Sequence, residues 1–341
     1  MSEIYTIKKD TCLVCNSSGL PLYKGLRDVL FGVEGLWNVD ICKKCDIAWL
    51  NPSPTDKTAH LLYEKYYTHQ QLNNEFLKQD AFITFPKNKK IKYSVLHSWF
   101  NYPIPGISKS YKIFGIILGF IPGIQKKIKI SIGAIPPHRN GKLLDLGCGN
   151  GDYLLEMKYL GFETYGIEID NAAAEIARSN GLQVTTGALT KTSYEENFFN
   201  AIHTNNVIEH LSNPDEIITM CHTILKKGGL LVLKTCNINS LAYLYYKQHY
   251  RGLEIPRHIN IFSPKALEKL GEKSGFKVVY SGTSFNQYIW ASSKKIKEGI
   301  QNPADATSNT YITLLKYVFV STIIFFAPHK GDDILIVLEK K

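Results

Sequence analysis

Three groups of residues in this 341-residue chain have the types and the spacing to do chemistry. The first is Asp145-Leu146-Gly147-Cys148-Gly149-Asn150-Gly151. Alternate glycines let bare backbone and a helix N-terminus come close to a ligand. A dinucleotide site would want G-x-G-x-x-G. Here the pattern is G-x-G-x-G, and Asp152 stands where the last glycine of that fingerprint falls. The acid Asp145 suits a cationic ligand better than a pyrophosphate. The second group is Glu209-His210, a carboxylate and an imidazole in succession, with His258 further on. These types take and return protons. We read His210 as a general base, Glu209 as the group that orients it or binds substrate, and His258 as the second choice. The third group is Cys12-x-x-Cys15 and Cys42-x-x-Cys45, four of the seven cysteines, with 26 residues between the pairs. Two such knuckles offer four thiolates to one tetrahedral zinc, and four thiolates leave no open position for catalysis.

These residues need elements to hold them. Gly141 to Leu146 reads as a short buried strand that turns through the glycines into a helix over Asp152–Leu160. Residues 161–168 form a second strand ending at Glu168. Rossmann-like folds place an acid about 20 residues beyond the glycine loop, where a carboxylate accepts both hydroxyls of a ribose. Asn171 is expected to cap a helix over Ala172–Ser179. Strands follow at 182–186 and 198–204, and a helix starts at Asn213-Pro214-Asp215. Leu225 to Gly229 is a turn into a fifth strand. A helix spans Pro264–Ser274, with further strands at 275–280 and 331–339. Strand–helix alternation at this spacing predicts an α/β fold with a doubly wound, mostly parallel sheet. Glu209-His210 then falls just past the fourth strand, at the carboxyl end of the sheet.

The composition, 44% hydrophobic and 21% charged, is that of an ordinary globular chain, and the formal net charge of +10 favours acidic partners. The start Met1-Ser2-Glu3-Ile4-Tyr5 lacks a basic segment followed by an apolar run, which argues against a signal peptide. Without an export signal the paired cysteines point to metal rather than disulfides. No Asp or Glu occurs from Ala81 to Leu144, a stretch that carries Lys87, Lys89, Lys90, Lys92, Lys109, Lys112, Lys126, Lys127 and Lys129. Within it, the apolar run Ile113–Ile124 is too short to span a bilayer, yet lysine-flanked apolar segments can lie in a membrane interface. A second apolar run, Tyr311–Phe326, is of marginal length for a span and contains Lys316.

Asp145–Gly151, Tyr165-Gly166-Ile167-Glu168, Val207-Ile208-Glu209-His210-Leu211 and Leu225-Lys226-Lys227-Gly228-Gly229 occur in that order. Together they resemble the class I S-adenosylmethionine (SAM)-dependent methyltransferases of the ubiquinone-methyltransferase-like, type 11/12 group. The cysteine knuckles, Asn51-Pro52-Ser53-Pro54 and the Tyr63/Tyr66/Tyr67 stretch are similar to a subgroup with an N-terminal zinc ribbon, which includes sugar C-methyltransferases and enzymes of surface-polysaccharide clusters. The resemblance implies a Rossmann-like seven-stranded sheet with a small N-terminal zinc ribbon and a helical, apolar insert. It divides the chain into a zinc ribbon (1–60), a lid and basic insert (61–138), a SAM-binding core (139–290) and a linker, apolar helix and last strand (291–341). It places SAM on Asp145, Gly147, Cys148, Gly149, Gly151, Glu168, Ile169, Ala188, Leu189, Asn205 and Asn206, and makes Tyr63 and Tyr66 lid residues over the substrate. Where many relatives carry an acid for the adenine, Gly187 is followed by Ala188-Leu189, so that contact falls to backbone. The implied acceptor is a small molecule, a nucleotide-linked sugar or lipid-linked glycan, with O-methylation of a quinone or other lipid as the alternative. A nucleic-acid-modifying role for the ribbon and lysines is a third reading, although no D/N-P-P-Y/F motif follows the fourth strand and no specific nucleic-acid partner is expected. The expected location is the cytoplasm, with membrane contact through 109–135 and 311–327 left open.

Overall fold

The computed structural model describes residues 4–55, 58, 61–62, 74–77, 81–121, 123–138, 140–191, 193–300 and 327–341. Tyr63, Tyr66 and the apolar run 311–326 lie outside the described residues. In chain order the described strands are β1 (Thr6–Ile7), β2 (Leu20–Leu26), β3 (Trp37–Cys42), β4 (Ile47–Leu50), β5 (Ser53–Pro54), β6 (Lys142–Leu146), β7 (Glu163–Glu168), β8 (Gln183–Thr186), β9 (Phe199–Asn205), β10 (Leu225–Cys236), β11 (Asn260–Ile261), β12 (Phe276–Ser284) and β13 (Asp333–Lys340). The described α-helices are α1 (Ala81–Thr84), α2 (Lys87–Phe100), α3 (Lys109–Gly119), α4 (Ile124–Ser131), α5 (Asp152–Tyr159), α6 (Asn171–Ser179), α7 (Pro214–Ile224), α8 (Leu241–Tyr246), α9 (Pro264–Lys273) and α10 (Gln287–Lys297). The chain forms two compact units. One is Met1–Tyr66 with Asn205–Thr219 and Leu233–Ile336, and the other is Tyr67–Thr204 with Met220–Val232 and Val337–Lys341.

Seven strands form one sheet in the order β12-β13-β10-β9-β6-β7-β8. β6 pairs parallel with β7 and with β9, and β7 pairs parallel with β8. Leu143, Leu144, Asp145 and Leu146 of β6 are all buried, as expected of a parallel strand covered on both faces. The chain runs outward from β6 through β7 to β8, then returns to place β9 on the other side of β6. The order thus reverses at β6, and open α/β sheets bind ligands just beyond the strand ends at such a reversal. This is the seven-stranded, mostly parallel Rossmann-like sheet anticipated from the sequence. The turn expected at Leu225–Gly229 is instead the first part of β10, with Gly228 at φ 74°.

Helix α6 is capped by Asp170 rather than by Asn171. Asp170 has extended backbone and its carboxylate accepts from Ala172 N (2.9 Å) and Ala173 N. Asn171 is already the first helical residue. Ser263 caps α9 through Ala266 N at 3.2 Å, with Pro264 following, where its missing N–H costs nothing.

The basic insert is a set of helices. On α3, a Cβ at Gly115 would lie 2.2 Å from Ser94 O, and one at Gly119 would strike the Trp99 ring. This glycine face therefore packs on α2, and Trp99 Nε1 donates to Gly115 O at 3.1 Å. The other face leaves Ile113, Ile116, Ile117 and Phe120 exposed, a stripe at helical spacing. Among the described residues no helix is long and apolar enough to cross a membrane.

The N-terminal segment builds a four-stranded sheet of order β11-β4-β3-β2, and β1 pairs with β5. Trp37, Val39, Ala48 and Leu50 pack in one core with Ile238, Tyr250, Leu253 and Ile261. The pairing of β4 with β11, Trp49 against Asn260 and Ala48 against Ile261, fixes the chain immediately after His258.

Candidate active site

The glycine loop begins where β6 ends. Gly147, Gly149 and Gly151 all have positive φ, at 70°, 54° and 91°, a region that side-chain-bearing residues avoid. Glu168, at the end of β7, accepts from Gly149 N at 2.7 Å through one oxygen and from Asp170 N at 3.0 Å through the other. This buried carboxylate holds the loop, and each of its oxygens keeps a further lone pair for a ligand. The glycines differ in purpose. A Cβ at Gly149 would meet nothing within 4 Å, so the space above it is open. A Cβ at Gly151 would lie 2.4 Å from Leu182 Cδ1, and one at Gly166 would lie 2.6 Å from Cys148 Sγ, so those positions serve packing. Cys148 turns its buried side chain into that packing, while its N–H donates to Ile167 O at 3.2 Å and its carbonyl accepts from Gly151 N at 3.0 Å, which closes the turn. Ile169 is 69% exposed beside Glu168, an apolar surface beside the loop. Ala188 is exposed and Leu189 buried, after Gly187, whose N–H donates to Glu168 O at 2.8 Å.

Asp145 has a partner the sequence reading missed. Its Oδ1 lies 2.7 Å from His203 Nδ1, and both side chains are buried. The His203 ring stacks on Tyr153 at 3.9 Å between centroids. Tyr153 donates from its hydroxyl to Ile132 O at 3.2 Å, and burial pushes its pKa well up. The signal was present in the register, because β6 and β9 set Asp145 directly opposite His203.

The second constellation stands in the other unit. Residues 208–210 form a single 3-10 turn after Val207. Glu209 has no exposed surface, and neither carboxylate oxygen has a hydrogen-bond partner among the described residues. The Thr235 hydroxyl faces the Glu209 carboxyl and acts to lower its pKa, against the larger effect of burial. Burial, reinforced by Glu254 and Asp333, pushes the Glu209 carboxyl up to about 8. His210 donates from Nδ1 to Arg257 O at 3.0 Å, and His258 donates from Nδ1 to Gly252 O at 2.8 Å. A carbonyl only accepts, so in both rings Nδ1 carries the hydrogen and Nε2 the lone pair. The two rings meet edge-on at 4.8 Å. His258 Nε2 is 3.5 Å from Glu254 Oε2 and 4.0 Å from Glu209 Oε1. Burial lowers the pKa of both histidines, that of His258 to about 3, so both are neutral imidazoles at neutral pH. Asn260 Nδ2 donates to Leu211 O at 2.8 Å and ties β11 to the turn.

Arg257, fully buried, supports this arrangement. It donates to both oxygens of Asp28, at 2.9 and 3.2 Å, and from Nε to Glu254 Oε1 at 3.1 Å. Its guanidinium lies 4.0 Å from the Phe31 ring centroid. Arg251 pairs with Glu254 as well. Burial alone would raise the Glu254 pKa, but the Arg251 charge, with His258 and Arg257, outweighs it and holds the carboxyl near 2. Asp28, Arg251, Glu254 and Arg257 were not singled out from the sequence, since nothing in their local pattern marks an ion pair across 229 residues.

Residues 126–281 match the family described as a methyltransferase domain. This stretch holds the glycine loop, Glu168 and the Glu209-His210 turn. Residues 126–281 form a methyltransferase domain. The chain is 32% identical over 116 residues to the ubiquinone biosynthesis O-methyltransferase of Paraburkholderia phymatum, covering 32% of this chain and 50% of that protein. It is 29% identical over 159 residues to the same-named enzyme of Azoarcus sp., covering 42% and 68%. The chain thus spans about half the length of the first of these relatives. A SAM dependent methyltransferase from Archaeoglobus fulgidus aligns over 67% of this chain and 99% of its own, at 17% identity and a TM-score of 0.44.

Ahead of the methyltransferase domain, Cys12, Cys15, Cys42 and Cys45 bring their sulfurs to within 4.8 Å of one another. The two knuckles repeat one turn: Asn16 N donates to Cys12 O and Asp46 N to Cys42 O, both at 2.8 Å, with Asn16 and Asp46 at φ 58° and 55°. Cys15 Sγ and Cys42 Sγ are 3.6 Å apart, close to the separation of roughly 3.8 Å that zinc–sulfur bonds of about 2.3 Å impose in a tetrahedron. Lys269 Nζ lies 3.9 Å from Cys45 Sγ, a cation beside a cluster that becomes anionic when it binds metal. The donor set fits a structural zinc. Asn205 and Asn206 are exposed after β9, with Asn206 at φ 54°.

Proposed function

We propose that this protein is an O-methyltransferase acting on a hydroxyl of a small, apolar acceptor of the quinone or lipid class. The observation that carries the reading is the glycine loop pinned by Glu168 within the methyltransferase domain, in a chain whose matched relatives are named for ubiquinone O-methylation. Backbone of Gly147–Gly151 cradles the cofactor, the remaining lone pairs of Glu168 take its ribose hydroxyls, and Ile169 offers the adenine an apolar face. SAM supplies an electrophilic methyl, which leaves sulfur as a bond to the acceptor oxygen forms. The proton of that oxygen must go elsewhere, and the Glu209–His210–His258 cluster supplies groups to deal with it. His210 is the least buried of the three, and its Nε2 lone pair can take a proton.

A second reading, transfer to a nucleotide-linked sugar or lipid-linked glycan, is favoured by the four-cysteine ribbon ahead of the domain. Labelled methyl transfer from SAM to detergent-dispersed catechol-type quinone precursors, run beside nucleotide sugars, decides between them. Turnover on the former is expected, with His210→Ala lowering kcat by about 10²–10⁴-fold. Turnover confined to sugar acceptors would overturn the quinone assignment.

A further inference from the structure

Asp145 and His203 stand opposite each other near the carboxyl ends of β6 and β9, where the strand order reverses. Asp145 Oδ1 lies 2.7 Å from His203 Nδ1, and both side chains are buried. An ionised carboxylate only accepts, so Nδ1 carries the hydrogen and donates it. A bond this short to a charged acceptor is of the strong, charge-assisted kind. It occupies one oxygen; among the described residues no hydrogen bond reaches Oδ2.

The imidazole is itself held. The Tyr153 ring lies against its face, 3.9 Å between centroids and 25° between planes, and the Tyr153 hydroxyl donates to Ile132 O. A Cβ at Gly133 would be only 3.3 Å from His203 Cδ2, so bare backbone closes that edge. Tyr102 donates to Ile135 O and ties down the same stretch of backbone. A ring fixed at a face and an edge fixes the carboxylate it bonds, and with it the direction of Oδ2. The Asp145 charge reaches the glycine loop: after burial, it and Glu168 push the Cys148 thiol up. The two carboxylates near the loop are held differently. Glu168 accepts from the loop at Gly149 N, whereas Asp145 is held from behind, by a histidine of the next strand.

We propose that His203 is a positioning residue for the cofactor: it fixes Asp145 so that Oδ2 accepts from the ammonium of the methionine part of SAM. An ammonium has three donors and no acceptor, which suits a carboxylate oxygen that nothing else occupies. Glu168 is left for the ribose diol. This role rests on the SAM reading of the glycine loop.

The test is calorimetric titration of the full chain, its cysteine site loaded with zinc, with S-adenosylhomocysteine and with an analogue that lacks only the amino group. The wild type should prefer S-adenosylhomocysteine by about 10-fold or more, the worth of a hydrogen bond to a charged group. His203→Gln and His203→Leu should lose most of that preference, with the analogue bound as in the wild type. His203→Asn should keep it, because the shorter amide presents an N–H near the Nδ1 position. Thermal unfolding identifies the folded variants, and either His203→Gln or His203→Leu suffices. A folded variant of that pair that keeps the full preference, or that weakens both ligands equally as a merely structural residue would, overturns the proposal. So does a wild type that binds both ligands equally well, which leaves the SAM reading in place. A folded wild type that binds neither overturns the SAM reading and the proposal with it.

Discussion

Asp28 acts at a distance of 229 residues along the chain, and its effect is the clearest at the scale of single side chains. It accepts both Arg257 bonds and also the N–H groups of Leu30, Phe31 and Val33, so one carboxylate shapes its own loop and holds the arginine that precedes His258. Removing one partner of a buried pair costs about 3–5 kcal/mol, because the other charge stays buried. Asp28→Asn is therefore expected to lower stability by about 3 kcal/mol in urea unfolding; a change within about 0.5 kcal/mol, the range of an ordinary surface substitution, would contradict it. Burial raises the Asp28 pKa, but the Arg257 bonds and charge more than reverse this and leave it below the ordinary 3.8. The pair thus stabilises the fold above that ordinary value and is lost as pH falls below it. Asp28→Asn should remove that part of the acid sensitivity. Asp145 shows the limit of reading one residue at a time. Its acid type suggested a cationic ligand, but β9 places His203 opposite it, and only the pairing of the strands brings the two together.

At the scale of elements, the strands and helices of the core were legible because each carries a local signature. Buried apolar runs marked β6 and β9, glycines with positive φ marked the loop, and the C-x-x-C spacing marked the knuckles. What was not legible depended on packing. Gly115 and Gly119 looked like parts of an apolar run, yet they are the face on which α3 meets α2. The cap moved from Asn171 to Asp170 because the backbone one residue earlier is extended, which a list of residue types does not show. The link from β4 to β11 was equally hidden, and through it the ribbon holds the segment after His258. A structural zinc contributes directly to folding. Chelation should release one zinc per chain and lower the unfolding temperature, and Cys42→Ser should do the same without chelator. Protein from zinc-supplemented growth that holds no zinc would contradict the ribbon.

At the scale of the whole molecule, the net charge of +10 is concentrated by a segment without acids from Ala81 to Leu144, and α3 adds an exposed apolar stripe to it. Lysines beside exposed isoleucine and phenylalanine suit an anionic bilayer surface, since apolar burial and charge attraction act together there. Co-sedimentation with vesicles of anionic phospholipid is expected, weakened by salt and by Ile117→Ser with Phe120→Ser. Failure to co-sediment at low salt would argue that this face stays in water or meets a second copy. The reading that everything else depends on is that the glycine loop binds SAM. Calorimetric titration of the zinc-loaded protein with S-adenosylhomocysteine tests it most directly. Gly149→Arg and Glu168→Ala serve as controls, since a side chain at Gly149 enters open space and Glu168 holds the loop. Binding at about micromolar strength, near −8 kcal/mol, that is lost in both variants is the predicted result. A folded wild type that gives no binding heat at several temperatures would contradict it.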